Sequence, residues 1–403
     1  MDLPGVPNQL LEELREAAVS IGVPRLALVG GVVRDQLLHQ RLGRAWSGVP
    51  DLDWVLEGDA AALAAELGRR CGSDRVTAMQ EYGTFGTDAL KLDGIPLYLA
   101  TARQEHYPAP ADNPVVQAGT LKADLVRRDF TINAMALDLV SKDLIDPHGG
   151  QADLAAGHLR FLHSGSVQDD PTRVIRAARY AARLGFQLAD DAQSQICTTI
   201  HRWPWRWRHG DAALDAPPAL ASRLRMELDR LLEREPWRQA LNQLEQWQAM
   251  PLLDPQLQQD PRRSERLRWG QRLGLPLVAA LLLGAADPLV VAQRLQIPGR
   301  QQQWLQQCAE LLHWLDGAPL PPSAGPSAWS LALEQHSWQP EAVALAVTVR
   351  PQHWKSLLRW WGRWRRIQAP QTARDLIKAG WQPGPALGAE LRRMRSIALD
   401  QSR

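Results

Sequence analysis

Apolar and polar positions along the first 138 residues follow two periods, and the alternation predicts short strands interleaved with helices. An amphipathic helix fits residues 8–20, and strands are expected near 26–29, 52–56, 75–79, 85–92 and 95–101. Helices should begin at Val32, after Asp59 (an N-cap before AAALAAELGRR) and near Asp124. From about residue 139 the strand pattern stops, and helical periodicity in Ala, Leu, Arg, Gln and Trp takes over. Proline- and glycine-rich breaks near 215–218, 251–261 and 318–326 mark joints between helical segments. No period repeats cleanly enough for a solenoid. The expected class is α+β: a small mixed α/β head followed by an all-α arm.

Composition narrows the class without naming a chemistry. Of 403 residues, 45% are apolar and 22% charged, the balance of a globular protein with room for two or more domains. No run of 18 apolar residues occurs, and no basic segment followed by an apolar core opens the chain. A soluble cytoplasmic protein with no membrane partner is therefore expected. Cys71, Cys197 and Cys308 are far apart, which argues against a disulfide framework or a cysteine zinc site, and the ten histidines show no metal-ligand spacing. The net charge of +2 hides an asymmetry: residues 351–403 carry eleven Lys or Arg against three acids. A basic end on an otherwise slightly acidic chain points to a polyanionic partner.

The chemistry begins at residues 26–56. An apolar strand, Leu26-Ala27-Leu28-Val29, runs into Gly30-Gly31-Val32-Val33-Arg34-Asp35, and a second strand carries Asp51-Leu52-Asp53. Two glycines after a strand allow close backbone approach, and the following helix N-terminus favours an anion such as a triphosphate. Asp51 and Asp53 alternate with Leu52, so both carboxylates project from one face of the strand. Like charges that close call for a cation, and Mg²⁺ shared with substrate phosphates is the natural occupant. In this order the parts favour nucleotidyl transfer.

Two further motifs supply contacts. In Arg127-Arg128-Asp129-Phe130-Thr131-Ile132-Asn133-Ala134-Met135-Ala136, a helix would place Asp129 and Asn133 on one face beside Arg128, able to bind ribose and phosphate. Phe130, Ala134 and Leu137 would then line the core side. In Asp169-Asp170-Pro171-Thr172-Arg173-Val174-Ile175-Arg176-Ala177-Ala178-Arg179-Tyr180, Asp170 suits an N-cap with Pro171 at the first helical position. Arg173, Arg176 and Arg179 recur every three residues as a guanidinium ridge apt for a triphosphate. Asp170 beside Arg173 has a sharper use. Cytosine and adenine each present an amino donor next to a ring-nitrogen acceptor, so a carboxylate and a guanidinium can pair with either. Guanine and uracil present a carbonyl and an N–H there and would be refused.

Together these segments resemble the class II tRNA nucleotidyltransferase and bacterial poly(A) polymerase family. The motifs are GGVVRD at 30–35, DLD at 51–53, RRDFTINAMA at 127–136, DDPTRVIRAARYAARLGF at 169–186 and SRLRMEL at 222–228. The resemblance implies a catalytic head (1–138), a neck with the base-reading motif (139–205), a body (206–320) and a tRNA-binding tail (321–403). It implies Mg²⁺-dependent transfer of C or A from CTP or ATP to a tRNA 3′ end. Asp51 and Asp53 would hold metal and act in catalysis. Gly30, Gly31, Arg34, Asp35, Arg128, Asp129, Asn133, Arg176 and Arg179 would bind the nucleotide, and Asp170 with Arg173 would read its base. A poly(A) polymerase and a catalytically degenerate RNA-binding relative are the other readings that the resemblance allows.

Three departures from the family pattern stand out. The loop from Asp35 to Asp51 is long; Tyr98 stands in LYLATAR where relatives commonly carry an acid; Gln104 follows Arg103 where a Glu is common. At the basic end, helical spacing would put Trp354, Leu357, Leu358 and Trp361 on an apolar face, and Lys355, Arg359, Arg363 and Arg366 on a basic one. With Arg365, these cations are the expected RNA-backbone contacts. Residues 375–394 should form a helix, a Gly-Pro turn and a second helix, a tail segment similar to one in some family members and expected at the tRNA elbow.

Overall fold

A seven-stranded mixed sheet frames the head in the computed structural model, which describes residues 3–46, 51–82, 86–317, 320–321 and 323–402. Its strands are β1 (Leu26–Val29), β2 (Leu52–Leu56), β3 (Val76–Tyr82), β4 (Thr87–Leu92) and β5 (Ile95–Thr101). A hairpin, β6 (Arg103–His106) with β7 (Val115–Ala118), stands apart, and β8 (Ala136–Asp138) and β9 (Leu144–Ile145) complete the sheet. The order is β3-β4-β5-β2-β1-β8-β9, with β2 and β5 parallel and the remaining neighbours antiparallel. Helices α1 (Asn8–Ser20), α2 (Gly31–Leu42), α3 (Ala60–Cys71) and α4 (Leu121–Val126) accompany it. Ala27, Val29, Val55, Ala102, Leu121, Leu125 and Ala136 form one buried cluster, in which strand residues of alternate parity meet the apolar side of α4.

Register explains why chemistry collects at one end of this sheet. Leu28 lies opposite Trp54 in the antiparallel β1–β2 pair, so the turn that follows β1 reaches the start of β2. Val29 pairs with Ala136, which brings the residues before β8 to the same end, and the parallel β2–β5 pair sets Tyr98 beside Asp53.

The chain continues through α5 (Gly150–Ala156), the short parallel pair β10 (His158–Leu159) and β11 (Gln187–Leu188), α6 (Ser166–Asp169), α7 (Thr172–Leu184) and α8 (Asp190–Arg202). Next come α9 (Ser222–Arg234) and α10 (Trp237–Gln246), the latter packed along α7. The unit containing the head comprises residues 1–208, 217–227 and 234–249. A second unit, residues 209–216, 228–233 and 250–403, is helical. It contains α11 (Arg263–Arg272), α12 (Leu277–Leu282), α13 (Pro288–Arg294), α14 (Gly299–Asp316), α15 (Pro326–Gln335), α16 (Pro340–Val349), α17 (Trp354–Gly362), α18 (Ala373–Lys378) and α19 (Pro385–Gln401). Within it α16 is buried almost all round and packs against α11, α14 and α17. Among the described residues no helix is long and apolar enough to cross a membrane.

The α+β class holds, with local corrections. Strand pairing does not stop at 139, because β9, β10 and β11 lie beyond it. The third predicted helix begins at Leu121, three residues before Asp124, where the Thr120 hydroxyl accepts the Ala123 N–H. Residues 127–136 are not a helix: α4 ends at Val126, a single 3₁₀ turn spans Thr131–Asn133, and β8 follows. Phe130, Ile132, Ala134 and Met135 are all fully buried, so no exposed side exists to give the stretch a helical face. The first part of the long Asp35–Asp51 interval is also helix, since α2 runs to Leu42; residues 47–50 lie outside the described residues. Of the last predicted break, residues 318, 319 and 322 also lie outside them.

Candidate active site

The turn after β1 depends on a glycine. Gly30 has φ +76° and ψ −138°, a conformation that side-chain-bearing residues avoid, and it caps α2. A Cβ there would sit 3.4 Å from Arg128 Nη1 and 3.8 Å from Asp53 Oδ2. Gly30, Arg128 and Asp53 therefore meet at the end of the sheet, and Gly31 opens α2 beside them. Asp51 and Asp53 flank buried Leu52, both exposed. Partial burial pushes the Asp53 carboxyl above its ordinary range; Arg128 pulls it down and the Asp51 charge adds to the rise. Among the described residues no group of three or more His, Cys, Asp or Glu gathers as a metal cage. Tyr98 is the register partner of Asp53 and lies beside it on β5.

Arg128 is held from behind by a residue that sequence reasoning passed over. Asp124, fully buried, accepts from Arg128 Nη2 at 2.8 Å and from Arg127 Nη2 at 2.6 Å. Burial alone would raise its carboxyl, but Arg128 and then Arg127 outweigh that and hold it below the usual range. The spacing of three and four residues was a readable signal, because one turn of α4 suffices to bring these side chains together.

Asp129 and Asn133 do meet, although around a 3₁₀ turn: Asn133 Nδ2 donates to Asp129 Oδ1 at 3.0 Å. Arg34 Nη1 donates to Asn133 Oδ1 at 2.7 Å, and Arg34 Nε reaches Asp35 Oδ1 at 2.8 Å. Arg176 grips Asp129 Oδ2 at 2.5 Å and lies 3.4 Å from Glu227. Desolvation would raise the Asp129 carboxyl, yet Arg176 and the Asn133 bond lower it overall. Arg179 pairs with Glu227 and, at 3.3 Å, with Glu235, which also pairs with Arg183. Arg34, Arg176 and Arg183 all lie over the Tyr180 ring, at 5.2, 5.7 and 5.4 Å from its centroid.

Of the predicted guanidinium ridge, two of the three members face acids. Arg176 and Arg179 are engaged by Asp129, Glu227 and Glu235, and Arg173 leaves the row. Arg173 binds the Ser166 hydroxyl and donates from Nη2 to the Arg127 carbonyl at 2.8 Å. Glu227 and Glu235 were not anticipated, because nothing in local periodicity links them to α7. Asp170 lies one residue farther from the helix start than a cap: its Oδ1 accepts from Thr172 N at 3.0 Å and Thr172 Oγ1 at 2.6 Å. Its Oδ2 pairs with Arg223. Asp170 and Arg173 are both buried, and Arg173 lines a cavity of about 460 Å³ with Tyr107, Arg127, His163 and Asp169.

In the second unit, α17 ends at Gly362 and a 3₁₀ turn covers Trp364–Arg366. Leu357, Trp360 and Trp364 are the buried positions, whereas Trp354 and Trp361 are only partly covered, so the apolar face is turned from the expected one. Lys355, Arg359, Arg363 and Arg366 are exposed, and Arg365 bends back to the Trp361 carbonyl at 2.6 Å. The helix-turn-helix at the end is as expected: α18 opens on a Thr372–Asp375 capping box, and Gly384 with Pro385 starts α19.

Residues 26–160 match the family described as Poly A polymerase head domain. The chain is 31% identical over 384 residues to the CC-adding tRNA nucleotidyltransferase of Deinococcus radiodurans, covering 92% of this chain and 84% of that one. It is 44% identical over 180 residues to the A-adding tRNA nucleotidyltransferase of Aquifex aeolicus, covering 44% of this chain and 20% of the relative. The fold superimposes on a solved CCA-adding enzyme, apo form II, with a TM-score of 0.74 at 24% identity, covering 98% and 93% of the two chains. The relative matched over most of both chains places this one in a class, the nucleotidyltransferases. The chain belongs within that class to the tRNA nucleotidyltransferase and poly(A) polymerase family.

Proposed function

We propose that the protein adds C, A or both to the 3′ end of tRNA, drawing on CTP and ATP. One observation carries the reading: Gly30, Asp53 and Arg128 converge within 4 Å of one point at the end of the sheet, next to the α2 N-terminus. That point offers backbone amides and a guanidinium to a triphosphate, and carboxylates to a cation between them. The 31% identity to a CC-adding enzyme over 92% of the chain supports the choice of tRNA as acceptor.

Asp51 and Asp53 fit Mg²⁺. They are hard oxygen donors two residues apart, Asp51 just before β2 and Asp53 in it, and a carboxyl raised by desolvation and by a like charge gains from a cation. Two carboxylates with no third suit an ion completed by water and phosphate oxygens. Magnesium there would supply charge neutralisation to the reacting phosphate and to the attacking 3′-hydroxyl. The chain's own residues do the rest. Gly30 leaves room for the phosphates, and Arg128, braced by Asp124, presents a fixed cation to them. Asp170 accepts the amino group of cytosine or adenine, and Arg173 donates to the neighbouring ring nitrogen. Uracil and guanine would leave that pair unsatisfied.

Three tRNAs, ending at the discriminator base, after one C and after two, incubated with CTP and ATP singly and together, test the reading. Addition that stops at CC, at A, or at CCA is the expected result and fixes the product. Long A tails on these tRNAs and on unrelated RNA would favour the poly(A) polymerase; no addition to any would favour the degenerate relative, whose motivation is Tyr98.

The exposed cations of the second unit are proposed to track tRNA backbone. Reversing charge at Arg363, Arg365 and Arg366 together should weaken tRNA binding and flatten its salt dependence by roughly two to three units of slope. Binding titrations across a salt series measure this, and an unchanged slope would refute the contact.

A further inference from the structure

A nucleotide held as proposed spans two helices. Its triphosphate lies at the start of α2, where Gly30, Gly31 and Arg34 stand, and its base lies at the start of α7, beside Asp170 and Arg173. A ligand with two parts gains from both only when the second site lies at the right distance from the first. Near the nucleotide, α2 and α7 are tied through Arg34. Its guanidinium lies 5.2 Å from the Tyr180 ring centroid, and its Nη1 donates at 2.7 Å to Asn133, which bonds Asp129, the acid that Arg176 grips.

The far ends of the same helices meet at a different residue, Arg44. Its Nη2 donates to the Leu184 carbonyl at 2.8 Å, and its guanidinium carbon lies 5.3 Å from the Phe186 ring centroid. Leu184 is the last residue of α7, so a cation there meets both an open carbonyl and the negative end of the helix dipole. Phe186 is buried and offers the guanidinium a fixed aromatic surface. Arg44 is itself presented rigidly. Gly43 ends α2 in a left-handed conformation, φ +63°, which suits glycine. Its N–H donates to the His39 carbonyl at 3.1 Å, and the Arg44 N–H donates to the Leu38 carbonyl at 3.2 Å, tying the turn back onto the end of α2. His39 Nδ1 donates to the Arg44 carbonyl at 2.7 Å. This arm lies in the Asp35–Asp51 interval, which is set apart from the family pattern by its length.

We propose that Arg44 is a positioning residue for the incoming nucleotide: by fastening the end of α2 to the end of α7, it sets the distance between the phosphate-binding turn and the base-reading pair. The inference rests on the reading of those two places as halves of one nucleotide site. α2 has 12 residues, about 18 Å of helix, so Arg44 acts on the nucleotide only through the two helices. It is exposed and fills no core, so its replacement opens no cavity. Without it each half of the site keeps its own residues, and what is lost is their fixed separation. A whole nucleotide then loses the advantage of binding both halves at once, whereas a ligand that fills one half loses nothing.

Single-nucleotide addition to tRNA tests this, with CTP or ATP, whichever the parent adds faster, and with two competitors that each fill half the site: tripolyphosphate for the phosphates, and the matching nucleoside for the base. In Arg44→Met the KM for the nucleotide should rise about 5-fold or more, while the inhibition constants of tripolyphosphate and of the nucleoside stay within about 2-fold. Arg44→Lys, which keeps a cation and a donor, should recover most of the KM. An unchanged KM in Arg44→Met would overturn the role of Arg44. A parallel weakening of the nucleotide and both competitors would overturn it as well, because that pattern marks a general loosening and not a lost separation. A nucleoside and a tripolyphosphate that fail to compete with the nucleotide in the parent would overturn the two-part reading of the site itself.

Discussion

Replacing Asp53 with Ala is expected to cut nucleotide addition by roughly 10³-fold or more, with Asp51→Ala close behind, while tRNA affinity changes little. The size follows from the several kcal/mol that a correctly held divalent ion supplies to phosphoryl-group chemistry, at about 1.4 kcal/mol per factor of ten. The specificity of the effect follows from placement. Asp53 is exposed and lies at the start of β2 within reach of Gly30 and Arg128, so its loss leaves no void in the core. The cations proposed to hold tRNA belong to the other unit. Single-turnover addition and a binding titration on the same preparations measure the two effects separately. Turnover retained by both substituted proteins would refute the metal assignment.

Glu227→Ala should have the largest effect on stability. Its carboxylate, 8% exposed, faces Arg176 and Arg179 at once. Removing one partner from a buried ion pair typically costs about 3–5 kcal/mol, because the remaining charge stays desolvated. Asp129 would still hold Arg176 and Glu235 would still reach Arg179, which places the loss toward the lower figure. For a unit of this size the unfolding midpoint should fall by about 10 °C, read by thermal melting at neutral pH. A midpoint within about 2 °C of the parent would show that Arg176 and Arg179 are satisfied without it.

These two residues mark what local sequence could and could not disclose. Asp53 was legible because its signal is local: an alternating strand, a glycine turn and a helix start are set by neighbouring residues. Strands β1, β2 and β5 fall at their expected limits for the same reason. Residues 127–136 were misread because Phe130, Ile132, Ala134 and Met135 are buried on every side, and a run without a solvent face has no period to recognise. The Asp129–Asn133 bond nevertheless forms, since a 3₁₀ turn also brings nearby side chains together. Glu227 was out of reach for a different reason. The arginines of α7 carry a visible rhythm, but their counter-charges lie between 47 and 56 residues away along the chain. Periodicity shows that a face is charged; only the tertiary fold shows whether a ligand or an acid meets it. Arg223 and Glu227 both lie in SRLRMEL, a segment marked by resemblance alone, with no local clue to its task.

The unit that holds the head takes in residues 217–227 and 234–249 as well as 1–208, and this has a consequence for synthesis. A nascent chain that has emerged only to residue 208 has made every strand of the sheet, yet it lacks Glu227 and Glu235. Arg179 and Arg183 then lack the acids that face them, Arg176 keeps Asp129 but lacks Glu227, and Asp170 is without Arg223. The end of the unit that carries α7 therefore settles late, after α9 has left the ribosome, although most of its residues are translated early. Genetic truncation between residues 208 and 217 should accordingly yield an aggregation-prone head, and a useful minimal fragment has to extend through residue 249.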